Sequence, residues 1–537
     1  MSNGDSRLAI RTMKELIETT ATDHPKRTFL RYRNETYTYA EIDERANAIA
    51  NSLYSQGVRQ GDFVCLFLYN RPEYLTTLFA LAKIGAISAP IDTRFNGETL
   101  QHVLSETGAE VIVLDTNTRT DYEAIDNHLP NISTEYFIGE SHAKFSYRPF
   151  DKLLEGDVSS SPTVEIDGSD PFSAIYIQQK ASERPKGVML PNFSYINTGW
   201  ESAHTLFEFT RSDCIFTTLP LFTSYALQIG VVGSMLTGAE FAFEDQFRPT
   251  AFWDQVRTHE ATVFLYLDRM LSVLYNHGDD AAASGNPLRL AIGHGYGFDT
   301  DEQLIERFED RFDTSVLEGY GATETATVAS FNRVDDQRGG SVGRPVAHAK
   351  IEIVDENDWP VPTGDTGEIV VRSCRPNSMF LGYHGSPEKT AKTCRNQLIH
   401  TNDIGYLDDD GYLHFVASKK NTINRGRAAG RISSLEVESI IDCHPAVQES
   451  AVIGVTDRTG EEDIKAVVVP REDETVTPVE ICRHCEKQLA YLKVPRYIEI
   501  RDSFPRTPSG KIQKHKLCGS DTRSSIWDRE SGYELSR

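Results

Sequence analysis

Between Thr38 and Asp115 the sequence switches repeatedly between two hydrophobic periods, and that switching leaves few possible architectures. Thr38-Tyr39-Ala40-Glu41 has the form of a capping box, with Thr38 as N-cap and Glu41 three residues on. The helix it opens puts Ile42, Ala46, Ile49, Ala50 and Leu53 on one face. Val64-Cys65-Leu66-Phe67-Leu68 follows, an apolar run between Gly61-Asp62 and Asn70-Arg71-Pro72, and it reads as a buried strand. A helix from Glu73 to Ile84, a strand over Gly85 to Ile91, a helix from Thr99 to Thr107 and a strand over Glu110 to Asp115 continue the pattern. Strands alternating with helices predict a parallel α/β sheet.

The rest of the chain extends this plan. Glu155 to Asp170 is polar and suits a surface connection. A second α/β stretch runs to about Asn332, followed by a β-rich piece with Lys350 to Val354 and Gly367 to Arg372. From Lys420 the pattern becomes that of a small α+β domain, with a polar tail after Leu517. A chain of 537 residues exceeds one hydrophobic core, and the expected division is 1–419 and 420–537.

Charge and targeting signals narrow the partners. A formal net charge of -24 argues against nonspecific binding to nucleic acid or to an anionic membrane surface. No apolar run is long enough to span a bilayer, and neither a signal peptide nor a peroxisomal address is recognisable, so a cytoplasmic protein is expected. Cys482 and Cys485 form an isolated C-x-x-C in a segment that reads as helix, which predicts reduced structural thiols rather than zinc.

Two short motifs carry chemistry. Pro505 to Ile512 is a turn-rich segment that holds the Lys511 ammonium on a short tether, where a point cation can reach an oxyanion. Glu318-Gly319-Tyr320-Gly321-Ala322-Thr323-Glu324 combines a flat ring, a glycine turn, a hydroxyl and a carboxylate. Together with Arg71-Pro72-Glu73-Tyr74, Lys83-Ile84-Gly85-Ala86, Gly343-Arg344-Pro345, Leu381-Gly382-Tyr383 and Ser433 to Glu438, they resemble the adenylate-forming superfamily of acyl-CoA ligases, luciferases and adenylation domains. The resemblance covers the chain from about Leu16 to Leu517 and is nearest to carnitine/crotonobetaine-type CoA ligases.

That resemblance implies a large N-terminal domain of stacked mixed sheets and a smaller mobile α+β C-terminal domain, hinged at Lys420. It implies ATP, Mg²⁺ and coenzyme A as co-reactants and a small carboxylic acid as substrate. In this adenylate-binding turn, to which Gly321 belongs, the Tyr320 ring would pack on adenine, Thr323 would meet the α-phosphate and Glu324 would help hold Mg²⁺. Asp403 would accept the ribose hydroxyls, Lys186 and Ser182 would face the phosphates, and Lys511 would neutralise charge during adenylation.

Several nucleotide loops depart from the family pattern. Ile177 to Gly187 keeps Pro185-Lys186-Gly187, but Lys180 and Glu183 stand where two glycines belong, and only Ser182 remains of the hydroxyls. Without glycine such a loop does not readily reach positive φ or approach phosphate closely. Phe222-Thr223 replaces an aromatic-His pair that lines the acyl pocket, Asn402 replaces a glycine, and Ala417-Ser418 replaces an Asp-Arg pair that binds ribose. The turn past the hinge, Gly426 to Arg431, is longer and more basic, and Gly293 to Gly297 is also unusual. The framework segments are intact while the ligand loops differ. The reading that follows is an ATP-dependent acid-CoA ligase with a rebuilt, weakened ATP site. The alternatives are a catalytically silent homologue that binds nucleotide, acyl-CoA or a protein, and a stand-alone adenylation domain.

Overall fold

The computed structural model describes the chain except residues 1–8, 126–128, 130, 141–146, 179–183, 268–269, 278–282, 284, 295–301, 419–421, 425–430, 457–461, 472–473, 490–492, 507–511, 513, 518–525 and 530–537. The chain divides into two compact units. One comprises Met1–Asp365, Ile369–Thr401 and Leu407–His414, the other Thr366–Glu368, Asn402–Tyr406 and Phe415–Arg537. Lys420, the expected junction, lies outside the described residues. No helix among the described residues is long and apolar enough to cross a membrane.

The first unit holds two large mixed sheets. In the eight-stranded one the order is Gly382–Tyr383, Lys186–Pro191, Pro171–Ile177, Ile87–Pro90, Phe63–Phe67, Val111–Asp115, Thr134–Ile138, Arg148–Pro149. The strands expected early in the sequence form its centre and pair in parallel, with Cys65 opposite Ala89 on one side and Ile112 on the other. Their bounds differ by a residue or two from expectation, because the ladder is set by neighbouring strands as well as by the apolar run. Leu66, Phe67, Ile112 and Leu114 are fully enclosed.

The helices between these strands start and stop as their termini dictate. Thr38 accepts a hydrogen bond from the Glu41 amide at 3.2 Å while the Glu41 carboxylate accepts one from the Thr38 amide at 2.7 Å, so the capping box forms at Tyr39–Ser55. Pro72 opens the helix Pro72–Ile84 in the first turn, where its missing N–H costs nothing. Gly85, at φ 69°, ends it. Lys83 on this helix is buried, and its ammonium lies 2.7 Å from Asp43 and 3.4 Å from Glu18 on two other helices. A buried cation needs such partners, so the two carboxylates fix how the three helices meet.

The nine-stranded sheet orders Arg344–Pro345, Ser330–Phe331, Ser315–Tyr320, Leu290–His294, Val263–Leu267, Cys214–Thr217, Glu240–Phe243, Thr28–Tyr32, Glu35–Thr38. It is parallel from Ser315–Tyr320 across to Thr28–Tyr32 and antiparallel at both edges. Tyr320 stands at the C-terminal end of one of the parallel strands, the end at which open α/β sheets present their ligand sites.

The second unit is α+β. Val447–Thr456, Glu462–Pro470 and Tyr497–Ile500 form a sheet, and the helices Ser434–Asp442 and Pro478–Glu486 share one core with it, through Val437, Ile441, Ile464, Val468, Ile481 and Ile498. Cys482 and Cys485 lie within that core, and burial pushes their thiols up to about 11 and about 12. The region after Leu517, expected as a polar tail, returns to the sheet. Trp527–Asp528 pairs antiparallel with Tyr497 and Ile498, and Arg496 bridges Asp463 at 2.7 Å and Asp528 at 3.3 Å. Polar composition hid this edge strand, because its anchoring rests on a single aromatic side chain, Trp527, packed against the core and on the Arg496 ion pairs.

Candidate active site

The site begins where the strand Ser315–Tyr320 ends. The Tyr320 ring is completely buried, and the next residue has room for no side chain: a Cβ on Gly321 would sit 1.9 Å from the Thr327 carbonyl oxygen. The chain folds back over itself there, with the Thr327 amide donating to the Ala322 carbonyl at 2.9 Å and the Ala329 amide to the Tyr320 carbonyl at 2.8 Å. Ala326 and Thr327 pay for the reversal with left-handed backbone, at φ 53° and 76°. A β-branched residue at positive φ is strained, and such strain concentrates where a loop must hold one shape. Two contacts restrain it: Thr198 Oγ1 donates to the Ala326 carbonyl at 3.0 Å, and Thr327 Oγ1 donates to Ser224 Oγ at 2.7 Å.

Thr323 and Glu324 sit in the single turn of 3₁₀ helix inside this loop. The Thr323 side chain is half-buried, and its hydroxyl makes no hydrogen bond among the described residues. Glu324 is buried, and its Oε1 accepts the Tyr383 hydroxyl at 2.7 Å. Burial, and then the neighbouring Glu324 charge, hold the Tyr383 phenol well above its ordinary range, so it stays a donor. The second Glu324 oxygen has no hydrogen-bond partner among the described residues.

Lys186 joins this group through the same tyrosine. Gly382–Tyr383 pairs antiparallel with Val188–Met189, which carries the Tyr383 ring to within 5.0 Å of the Lys186 ammonium. The carboxylate, the phenol and the ammonium thus form a row. Sequence reasoning noted Leu381-Gly382-Tyr383 only as framework and missed that Tyr383 links two expected site residues. The tyrosine next to that glycine was the only available signal.

The segment expected to face the phosphates connects two paired strands. Ile177 pairs with Lys186 in an antiparallel ladder, so Gln178 to Pro185 bridges adjacent strands. Ser182, Lys180 and Glu183 lie outside the described residues, as does Lys511. Asp403 belongs to the second unit, on the strand Ile399–Leu407. Its neighbour Asn402 adopts φ 61°, the left-handed geometry that asparagine tolerates where the family pattern has glycine, and the Asn402 amide donates to the buried Glu368 carboxylate at 3.1 Å.

Around the turn, the departures from the family pattern have identifiable consequences. Phe222 is buried, with the Arg94 guanidinium 5.7 Å from its ring, while the Thr223 hydroxyl donates to the Pro220 carbonyl at 2.8 Å. His294 packs edge-on to Tyr225 at 4.8 Å and 5.5 Å from Phe331. Desolvation lowers its pKa to about 3, so the imidazole is neutral. Gly293 is required beside it, since a Cβ there would meet the Tyr266 ring at 2.4 Å. Tyr266 in turn donates to Glu318 at 3.0 Å, which fixes the strand leading into the turn.

This arrangement places a hydroxyl and a carboxylate on one tightly folded turn with a lysine close by, a set of groups suited to a polyphosphate and a hard cation. The AMP-binding enzyme family model matches residues 17–384, and the AMP-binding enzyme C-terminal domain matches 436–511. The chain belongs to the AMP-binding enzyme family. More particularly, it is 33% identical over 486 residues to the crotonobetaine/carnitine–CoA ligase of Salmonella heidelberg (strain SL476), covering 90% of this chain and 93% of that protein. Among solved structures it superposes on the anthranilate CoA ligase AuaEII in complex with anthranoyl-AMP, with a TM-score of 0.84 and 24% identity over 96% of this chain and 98% of that one. It also matches the Mycobacterium tuberculosis fatty acyl CoA synthetase, with a TM-score of 0.73 and 25% identity over 95% and 98%.

Proposed function

We propose that the protein is an ATP-dependent carboxylic acid–CoA ligase that works through an acyl-adenylate. One observation carries the reading: a Thr323 hydroxyl and one Glu324 carboxylate oxygen, neither with a hydrogen-bond partner among the described residues, stand side by side on a loop held rigid at Gly321. The family relationship and the named CoA ligases support it, and nothing in them favours a catalytically silent homologue.

In the first step a carboxylate oxygen attacks the α-phosphorus of ATP, the bond to the bridging oxygen breaks, and pyrophosphate leaves. Thr323 meets the α-phosphate with its hydroxyl, and Lys186 and Ser182 face the outgoing phosphates. Lys511 neutralises the charge that builds up on the pentavalent centre, an electrostatic contribution. Asp403 accepts the ribose hydroxyls as a charge-assisted acceptor. The Glu324 oxygen left without a partner among the described residues is a hard donor of the kind Mg²⁺ takes, and Tyr383 holds the carboxylate in place by its other oxygen. Mg²⁺, when bound, draws charge from the phosphate oxygens. In the second step the thiol of coenzyme A attacks the acyl carbon, the carbon–oxygen bond to phosphate breaks, and AMP leaves as the thiol proton is lost. The two half-reactions are served by movement of the domain from 420 to 537 about Lys420. The acid is small, and the protein acts in the cytoplasm.

The test is acid-dependent exchange of labelled pyrophosphate into ATP, followed by thioester formation with coenzyme A. Exchange that is acid-dependent and lost in Lys511→Ala, with thioester formation from a supplied acyl-adenylate retained, is the expected result. Transfer to a carrier protein but not to coenzyme A would instead indicate an adenylation domain.

A further inference from the structure

The helix Ala226–Val232 is wound with π turns, and it carries a side chain that the fold leaves unsatisfied. Gln228 is completely buried, and neither its Oε1 nor its Nε2 has a hydrogen-bond partner among the described residues. A buried amide without partners is costly, and native proteins keep one where a ligand or an internal water completes it. π turns are themselves rare and gather at functional sites.

Its position connects it to the adenylation loop. Ser224, four residues earlier and so close to the same face of this helix, accepts the hydrogen bond from Thr327, the strained residue just past the Tyr320–Glu324 turn. The helix Asn192–Glu201 flanks the same place: Thr198 bonds Ala326, and a Cβ on Gly199 would lie 3.0 Å from the Gln228 carbonyl oxygen. An acid whose carboxylate meets the α-phosphate beside Thr323 must send its tail away from the nucleotide, along the elements braced against that loop. Gln228 lies on one of them.

Building on the ligase reading, we propose that Gln228 reads a hydroxyl or carboxamide on the tail of the acid, and that the enzyme therefore selects polar-tailed acids over their alkyl isosteres. A neutral primary amide offers both a donor and an acceptor, and so do a hydroxyl and a carboxamide. An alkyl tail would leave both Gln228 atoms buried and unpaired. Sites built around such a bond discriminate strongly against the analogue that lacks it.

The experiment measures kcat/KM in pyrophosphate exchange for matched acids that carry a hydroxyl on the third, fourth or fifth carbon, or a methyl in the same place. Wild type is expected to favour the hydroxy acid in at least one pair by about tenfold or more, with the preference abolished or reversed in Gln228→Leu. Gln228→Met, similar in volume and flexible, provides the same comparison if the leucine variant does not accumulate folded. An unchanged ratio in either folded variant overturns the proposal and assigns the amide to an internal water. So does a wild-type preference for the methyl acid in every pair. Absence of exchange with every acid would remove the ligase reading itself, an outcome distinct from exchange without discrimination.

Discussion

The proposed ligase reading assigns the Tyr320–Glu324 turn and the segment from Gln178 to Pro185 to the same nucleotide, yet the first keeps the family pattern and the second departs from it. The turn is over-determined. Glycine is forced at 321 by a 1.9 Å approach, two non-glycine residues hold positive φ, and hydrogen bonds from Thr198 and to Ser224 keep them there. The loop has exchanged two glycines of the family pattern for Lys180 and Glu183, while the strands on either side still pair without a break from Ser173 opposite Leu190 to Ile177 opposite Lys186. The turn thus rests on packing that leaves no room for a side chain at 321, whereas the changed residues of the other segment fall between two strands that remain paired.

The comparison breaks most visibly at Gly321. Gly321→Ala drives a Cβ into the Thr327 carbonyl, so adenylation should be lost and the melting temperature should fall, as read by exchange and calorimetry. A variant of wild-type activity would mean the turn is not rigid. Next in size is Glu324→Gln, which removes the charge that Tyr383 positions. Exchange should drop by about a hundredfold or more while the fold persists, in keeping with the loss of a preorganised electrostatic group. Restoring a Thr-Ser-Gly-Thr-Thr-Gly run over the altered part of the phosphate loop sharpens the contrast from the other side. Two regained charge-assisted hydrogen bonds at roughly 1.5 to 3 kcal/mol each would raise the adenylation rate well beyond about tenfold, and Ser418→Arg should add to it. A slower restored loop would show that the present one is an adapted ATP site. Tyr383→Phe should cost less than Glu324→Gln, since one bond to the carboxylate is lost and the charge remains.

The smallest effect concerns pH. His294 titrates at about 3 in the folded protein against about 6.5 when unfolded, so the folded state binds fewer protons between those values. Its contribution to stability is complete above about pH 6.5 and declines as pH falls toward 3. His294→Gln should therefore flatten the fall in melting temperature over the range from pH 6.5 to 4, and an unchanged slope would refute the assignment.

Much of this was legible in the residues. The central parallel strands, the Thr38 capping box and the Gly85 helix stop depend on local periodicity and end chemistry, which sequence displays directly. The Tyr320–Glu324 turn was legible because its glycine and its polar residues are contiguous. The bond from Tyr383 to Glu324 was not, since it joins positions brought together only by the pairing of Gly382–Tyr383 with Val188–Met189. Trp527–Asp528 escaped for a related reason: a two-residue strand held by Arg496 has no hydrophobic period to read. Gln228 escaped because a glutamine in an apolar helix acquires its meaning from what surrounds it.

The central claim is that the intact turn still performs adenylation despite the altered segment from Gln178 to Pro185. The most direct measurement is pyrophosphate exchange by the wild-type protein over a panel of short-chain carboxylic acids with Mg²⁺, alongside Glu324→Gln. The account predicts acid-dependent exchange that the substitution abolishes. ATP binding without exchange for any acid, or exchange that Glu324→Gln leaves untouched, would contradict it.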